Sequence, residues 1–449
     1  MATEKLAHWA VNLSYSSLPQ NVVQAAVRSF YNWAGCAIGG SNHPTALIAR
    51  RSLAPFFGKP TSSLLGQKED DGSRTDASHA ALINGIASHV HDYDDTHLET
   101  IIHPTGPVAS ALLAQAEAQG AVSGEDFILA LVAGIEAECK VGLGVWPKHY
   151  DIGWHITSTT GSIGAAVAVG KLLKLEKEPM QHAIGVAATQ VTGLREMFGS
   201  DTKCFHVGRA AQNGLMAAVL AKNGYTSSLQ ALEAKRGWIN VVSQSNSMDE
   251  QMSSLGKVWE TAKNSFKPFP CGIVVHPVID GCIQLHGEMQ EKGISAGQIK
   301  NVHARVHPLV LELTGKRTPR DGLQAKFSVY HGGAVGLVLG KATPAQYEDK
   351  VVLSEEIISV RDKIEAVADS SLGADETEIT LTLQNGSALK KHVQHAIGSV
   401  DVPMTDTQLE TKFIDQVSPV LGEQGAQQAS RTCWALHGVN SVGELAGNI

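Results

Sequence analysis

Apolar residues recur at helical spacing through the first 260 residues. Residues 21–37 (NVVQAAVRSFYNWAGCA) carry them toward one face and run into Gly39-Gly40, a stop signal. Residues 106–119 (GPVASALLAQAEAQ) hold a proline in the first turn and stop at Gly120. Ser123-Gly-Glu-Asp126 reads as a capping box, with Ser123 as the cap and Asp126 returning the bond, ahead of the apolar run 127–137. Residues 208–222 leave their helix at Asn223-Gly224. The pattern changes near residue 265, where FKPFPCG reads as a linker or domain edge. Beyond it, NVHARVHPLVLEL (301–313) alternates at Val302, Ala304 and Val306, a strand period. EITLTLQNGSALKKHV (378–393) alternates at Ile379, Leu381 and Leu383 and then meets Asn385-Gly386, a two-residue hairpin signal. Helical stretches at 323–340 and 354–367 lie between these strands, and the tail from Asp406 is helical again. The pattern predicts a mainly α chain. A large all-helical domain covers 1–264 and 399–449, and a small α+β domain covers 265–398.

Composition sharpens this picture. The 449 residues exceed one ordinary core, which fits two or more domains. Aromatics make up only 5% while glycines number 44, so the helices are expected to pack closely through small residues. The net charge of −8 argues against a nucleic-acid partner, which needs a basic face. It also means that an anionic substrate needs a local patch of opposite sign, which draws attention to individual lysines. Six cysteines stand at irregular spacing with no C-x-x-C pair. That speaks against a disulfide framework, a zinc site and an iron–sulfur cluster. The first residues, MATEKLAHWAVNL, lack a long apolar stretch and do not read as a signal peptide. The most apolar run, from Gly161, meets Lys171 after ten residues and is too short to span a bilayer. A cytoplasmic protein without membrane or nucleic-acid partners is the expectation, and a mitochondrial location is also compatible.

Five segments concentrate residues that carry chemistry. HVHDYDDTHLETIIHPTGP (89–107) packs four histidines and three aspartates into fifteen residues. His89, His91 and Asp92, with Asp94 and Asp95, suggest a metal-dependent hydrolase, although no H-E-x-x-H or H-x-x-E-H spacing is present. A solvated helix end is the plain reading. The third is acid–base chemistry by His103, which precedes Pro104 at a helix start facing an anion. GWHITSTTGSIGAA (153–166) places His155 before a helix start whose N–H groups can hold an anion, or leaves it a structural group. GLREMFGSDTKCFHVGRAAQNG (193–214) carries Lys203 and His206 in a glycine-flanked loop leading into a helix. Lysine suits carboxylates as a point-charge donor, and the bland alternative is a surface lysine and a capping histidine. FKPFPCGIVVHP (266–277) holds Lys267 and His276, and AKFSVYHGGA (325–334) holds Tyr330 and His331. Taken singly, these last two read as packing and turn chemistry.

Taken together and in this order, the five segments resemble the MmgE/PrpD family of 2-methylcitrate dehydratases, cis-aconitate decarboxylases and iminodisuccinate epimerases. The resemblance rests on D-x-D-D-T…HP (Asp92 to Pro104), Trp154-His155, T-K-x-x-H-x-G (Thr202 to Gly208), K-P-F-P (267–270) and F-S-V-Y (327–330), and it spans nearly the whole chain. It implies a helical domain closed by the α+β domain as a lid, a homodimer, and no metal or organic cofactor. It implies site residues Asp92, Thr96, His103, His155, Lys203, Lys267 and Tyr330, with a contribution from the loop Arg195-Glu-Met-Phe. His206 and His276 join Thr96 and Arg195 as expected substrate contacts. The stretch between Thr96 and His103 departs from the decarboxylases, which have a shorter segment with proline and a second histidine there. Arg195-Glu196 replaces small neutral residues, and His331 follows Tyr330.

The family chemistries share the making or quenching of a carbanion beside a carboxylate, which needs cations and a proton carrier. In this reading Lys203 and Lys267 clamp carboxylates, His155 orients one, and His103 moves the proton. Tyr330 donates from the lid, and Asp92 orients His103 or Thr96. The expected activity is a cofactor-independent lyase, a dehydratase or decarboxylase of a small di- or tricarboxylic acid. An epimerase or isomerase of a dicarboxylate and the metal hydrolase are the alternatives.

Overall fold

Close helix crossings at small residues build most of this protein. In the computed structural model, which describes residues 1–67 and 73–446, the chain is mainly α. It divides into two units. The first comprises Met1–Val90, Asp94–Ser265 and the chain from Thr405 onward, and the second His91–Tyr93 and Phe266–Met404.

The first unit is a bundle around the helices Gln20–Gly40, Ala77–His89, Thr105–Gln119, Gly124–Val145, Ile156–Leu172 and Asp201–Lys222. Two crossings set the positions of functional side chains. A Cβ added at Gly85 would stand 2.6 Å from Gly208 Cα, and one at Gly208 would stand 2.2 Å from Leu82 O. The helices Ala77–His89 and Asp201–Lys222 therefore touch backbone to backbone, which places His89, one turn after Gly85, beside Lys203, just over one turn before Gly208. At Gly214 an added Cβ would meet Ala165 Cβ at 2.4 Å and Ser162 O at 2.7 Å, so the Ile156–Leu172 helix lies equally close to the same helix. The tail helix Asp406–Trp434 packs on Gln20–Gly40. Tyr31 stacks on Phe413 and Trp434 at 4.6 and 4.1 Å between ring centroids, and its hydroxyl meets Ser430 Oγ at 2.8 Å.

The second unit holds a four-stranded sheet. Ile299–Val306 lies between the parallel strand Ile364–Ala368 and the antiparallel strand Thr377–Leu383, which pairs onward with Ala388–Val393. Val302 faces Leu381 on one side and Ile364 on the other, and these three are buried. The helices His276–Glu291 and Val329–Leu339 cover that face: Gly281 closes on Ile379, and Gly333 on Ile364.

Several local expectations change. Ser123 accepts from Asp126 N at 3.1 Å, but Asp126 does not return the bond. Its side chain is one methylene shorter than the Glu or Gln that completes such boxes. The strand read over 301–313 stops at Val306, because Pro308 opens a helix to Thr314 with His307 as its cap. The segment 354–367 is helical only to Arg361. Ile364–Ala368 is an edge strand whose side chains, Ile364 apart, are not buried, so no alternation marked it. The Asn385-Gly386 hairpin is present with three loop residues rather than two. Gly386 N bonds Leu383 O at 3.0 Å, and Leu383 N bonds Ser387 O at 2.8 Å. Gly386 takes φ +86°, the left-handed residue that follows a type I turn. The six cysteines are buried and form no disulfide with one another. Among the described residues, no helix is long and apolar enough to cross a membrane.

Candidate active site

The segment after the Ala77–His89 helix folds back on that helix's end. A short strand, Asp95–His97, and a strained turn with Ile101 at φ +59° bring His103 to the start of the Thr105–Gln119 helix. The bend is fastened by a buried carboxylate. Asp95 Oδ2 accepts from Thr105 N at 3.1 Å, Thr105 Oγ1 at 2.5 Å and Asn264 Nδ2 at 2.6 Å. Burial, with the nearby Asp94, pushes the Asp95 carboxyl up to about 6 despite these donors.

His103 is oriented by backbone and hydroxyl groups. Its Nδ1 meets Asp95 O at 2.7 Å and Thr96 Oγ1 at 3.2 Å. A carbonyl oxygen can only accept, so Nδ1 carries a proton and Nε2 is the atom whose protonation changes. His103 N donates to Thr157 Oγ1 at 3.1 Å, which ties it to the first turn of the Ile156–Leu172 helix.

His155 stands immediately before that helix. Its Nδ1 lies 3.0 Å from His206 Nδ1, and its backbone N donates to Gly193 O at 3.0 Å. Gly193 has φ +101°, and an added Cβ would meet Ser158 Oγ at 2.0 Å, so only glycine fits this corner. Burial holds both imidazoles neutral at pH 7. It takes His206 down to about 4 and His155 well below its ordinary value, with Lys203 adding to both shifts. The Phe198 edge packs against His155 at 5.0 Å, and the Lys203 ammonium lies 5.4 Å from the Phe198 ring centroid.

Lys203 and His206 are not in a loop. The helix begins at Asp201, whose carboxylate suits a helix N-terminus and accepts from Thr45 Oγ1 at 2.5 Å. Lys203 is buried rather than on the surface. Its Nζ lies 2.7 Å from His89 Nε2, and His89 Nδ1 lies 2.7 Å from Asp94 Oδ2. The His89 ring centroid is 4.9 Å from that of His103 and 6.2 Å from that of His155. The first unit thus gathers Thr96, His103, His155, Lys203 and His206 into one buried cluster. The Arg195 guanidinium lies over the Tyr150 ring at 4.0 Å and donates to Tyr150 O at 3.0 Å.

The second unit holds the remaining expected residues. Lys267 Nζ donates to Asp92 Oδ1 at 2.8 Å and to Asp92 O at 3.2 Å, both residues being buried. Asp92 takes φ +49°, a left-handed conformation uncommon outside glycine, and Tyr93 Oη donates to Pro268 O at 3.0 Å. Tyr330 begins the Val329–Leu339 helix, with the Arg317 guanidinium 4.7 Å from its ring centroid. His276 is buried edge-on to Phe269. His331 bonds Gln346 O at 3.0 Å, and burial takes it down to about 4, a structural placement.

Of the residues read as metal ligands, His89 has one ring nitrogen on Asp94 and the other against an ammonium. His91 is half-buried, in the same short segment as Asp92. Sequence reasoning missed Thr157 and Gly193, and it weighed His89, Asp94 and Asp95 only as metal ligands. The D-Y-D-D run was the one signal for the aspartates, and it does not say which carboxylate faces which ring.

Residues 4–251 match the MmgE/PrpD N-terminal domain, and residues 269–436 match the MmgE/PrpD C-terminal domain. The chain is 26% identical to a cis-aconitate decarboxylase-like protein of Aspergillus oryzae, over 99% of this chain and 96% of that one. It is 25% identical to the human cis-aconitate decarboxylase, over 93% and 88%. A 2-methylcitrate dehydratase of Salmonella typhimurium is 25% identical over 47% of this chain and 45% of that one. With both domain matches in order along it, the chain belongs to the MmgE/PrpD family.

Proposed function

We propose that this protein is a cofactor-independent lyase that decarboxylates or dehydrates a small di- or tricarboxylic acid of the cis-aconitate and methylcitrate type. One observation carries the reading: a buried ammonium, Lys203, lies among the imidazoles of His89, His103 and His155. A carboxylate beside a carbanion needs such a cation, because enediolate charge builds on its oxygens. Relatives that align over nearly the full length and are named cis-aconitate decarboxylases support the same class.

In this proposal Lys203 holds one substrate carboxylate and His155 orients it. His103 moves the proton through Nε2, an imidazole being suited to proton transfer near neutral pH. For decarboxylation, the C–C bond to a carboxylate breaks, carbon dioxide leaves, and the electron pair left on carbon takes the proton from His103. For dehydration, His103 removes the carbon-bound proton, Tyr330 gives its hydroxyl proton to the departing hydroxyl, and water leaves. The second unit, residues 265–398 in the boundary we assign, acts as a lid. It contributes Lys267 as a second carboxylate clamp, held by Asp92, and Tyr330 as a hydrogen-bond donor; closure excludes water. Thr96 and His276 complete the substrate contacts, the protein works as a homodimer, and its site is cytoplasmic.

Proton NMR of the purified protein tests the reading, with cis-aconitate, methylcitrate, citrate and an iminodisuccinate-type acid in deuterated buffer containing chelator. New vinyl signals, or loss of the signals of a hydroxyl-bearing carbon, establish a lyase and its class. Deuterium entering beside a carboxylate without loss of atoms replaces it with an epimerase. Activity that vanishes with chelator and returns with a divalent metal favours a metal enzyme and overturns it.

A further inference from the structure

The hydrogen-bond chain Asp94–His89–Lys203 has an internal logic independent of any ligand. An ammonium can only donate, so His89 Nε2, 2.7 Å from Lys203 Nζ, must accept. The ring proton of the neutral imidazole is then on Nδ1, which points at Asp94 Oδ2 at 2.7 Å. Each element has one function: the carboxylate fixes the tautomer, the tautomer presents a lone pair, and the lone pair fixes where the lysine's charge sits. All three residues are buried, and the His89 and Asp94 side chains have no exposed surface. The Gly85–Gly208 contact is what allows the two helices to bring the ring and the ammonium together.

We propose that His89 and Asp94 are a positioning pair for Lys203, aiming its ammonium at the substrate carboxylate from behind without touching substrate. The pair also balances charge, since one carboxylate and one ammonium enclose a neutral ring. The ammonium is therefore ordered before the anion arrives, and less ordering cost falls on binding. This inference rests on the carboxylate-clamp role of Lys203 given above.

Two variants cut the chain at opposite ends. His89→Asn keeps an N–H where Nδ1 stood, so Asp94 stays satisfied, but it removes the acceptor facing Lys203. His89→Gln keeps an oxygen acceptor near the place of Nε2 and loses the bond to Asp94. If His89 aims Lys203, the Asn variant raises KM by about tenfold or more with a smaller change in kcat, while the Gln variant stays within about threefold of wild type. If the ring merely fills space and satisfies Asp94, the order reverses or both variants match wild type, and the proposal falls. Nitrogen NMR of the full chain with ¹⁵N-histidine gives a readout that needs no turnover. The expected His89 ring is neutral and protonated on Nδ1. Lys203→Met, which removes the donor to Nε2, shifts that ring's Nε2 resonance most and so assigns it even where His89 variants do not fold. An Nε2-protonated ring or an imidazolium overturns the pair. Absence of turnover on every acid tested, with the Nδ1 tautomer intact, rejects the lyase reading and leaves the positioning geometry standing.

Discussion

His97 and His103 lie six residues apart in one motif, both buried, yet their surroundings differ in kind. His97 belongs to a closed electrostatic brace. Its Nδ1 meets Thr100 Oγ1 at 2.7 Å and its Nε2 meets Glu260 Oε2 at 3.0 Å, while Lys140 Nζ donates to Glu260 Oε1 at 2.5 Å. Glu136 in turn accepts from the backbone N of Glu260 and Thr261. Both ring nitrogens of His97 are answered by side chains, and the carboxylate between a lysine and an imidazole is charge-balanced. Burial raises the Glu260 carboxyl, but the bonds from His97, Lys140 and Lys263 outweigh it and hold the group down at about 2. The cluster around His103 is organised differently. One ring nitrogen of His103 is fixed by a backbone carbonyl, and an ammonium lies against the neighbouring His89 ring. The comparison teaches that a buried titratable cluster is a brace when both ends of each group are spoken for. It is a candidate for chemistry when an imidazole oriented by a backbone carbonyl shares its surroundings with further imidazoles and an ammonium.

The strongest way to break the comparison is to truncate each histidine side. His103→Ala is expected to lower kcat by roughly two to four orders of magnitude, the usual worth of general acid–base catalysis, with thermal unfolding near wild type. Near-normal turnover removes His103 from the mechanism. Lys203→Ala is expected to cost roughly tenfold to a hundredfold in kcat/KM, the value of a charge-assisted bond to a carboxylate; unchanged kinetics reject the clamp.

On the brace side, Glu260→Ala leaves Lys140 buried without its partner. It is expected to destabilise the fold by about 3–5 kcal/mol, seen in denaturant or thermal unfolding. A change under about 1 kcal/mol shows that the network is not a brace. Linkage gives a second reading of the same group. Its folded pKa lies below the ordinary value of ~4.3, so its stabilising contribution is complete above about pH 4.3 and is lost as pH falls toward 2.

His206 sharpens the cluster side. Its ring is expected to titrate near pH 4 in the folded protein, followed by histidine NMR. A ring that stays neutral when folded but binds protons near 6.5 when unfolded lowers stability as pH falls from 6.5 to 4. A folded midpoint near 6.5 places the ring in water and breaks the buried pair with His155. The smallest effect is expected at the rim of the brace, where Lys263 Nζ meets the exposed Glu99 at 3.0 Å. Glu99→Gln is expected to change stability by less than about 1 kcal/mol and to leave kcat as it is.

Much of this was legible in sequence because it rests on short-range rules. The helical period of the first 260 residues, the alternation at 302–306 and 379–383, and the glycine of the hairpin are local properties. So are the motif segments that gave the family and the candidates His103, His155 and Lys203. The misreadings have two causes. The Ile364–Ala368 strand is stabilised by its neighbour at Ile299–Val306 rather than by its own pattern, and the helix under Lys203, which starts at Asp201, reads in sequence as a loop because of the glycines before it.

What the sequence determined alone is therefore the class of the chain: mainly α, small-residue helices, lysines and histidines gathered in a few segments of an acidic protein. What only the tertiary structure decided is which of those groups meet. His89 and Lys203 are 114 residues apart, and His97 and Glu260 are 163 apart. The His89–Lys203 pairing depends on the backbone contact between Gly85 and Gly208, and spacing along the chain does not encode distances across it. That is why one histidine of a motif became a brace, another a candidate for chemistry, and a third, read from sequence as a metal ligand, the acceptor for a lysine.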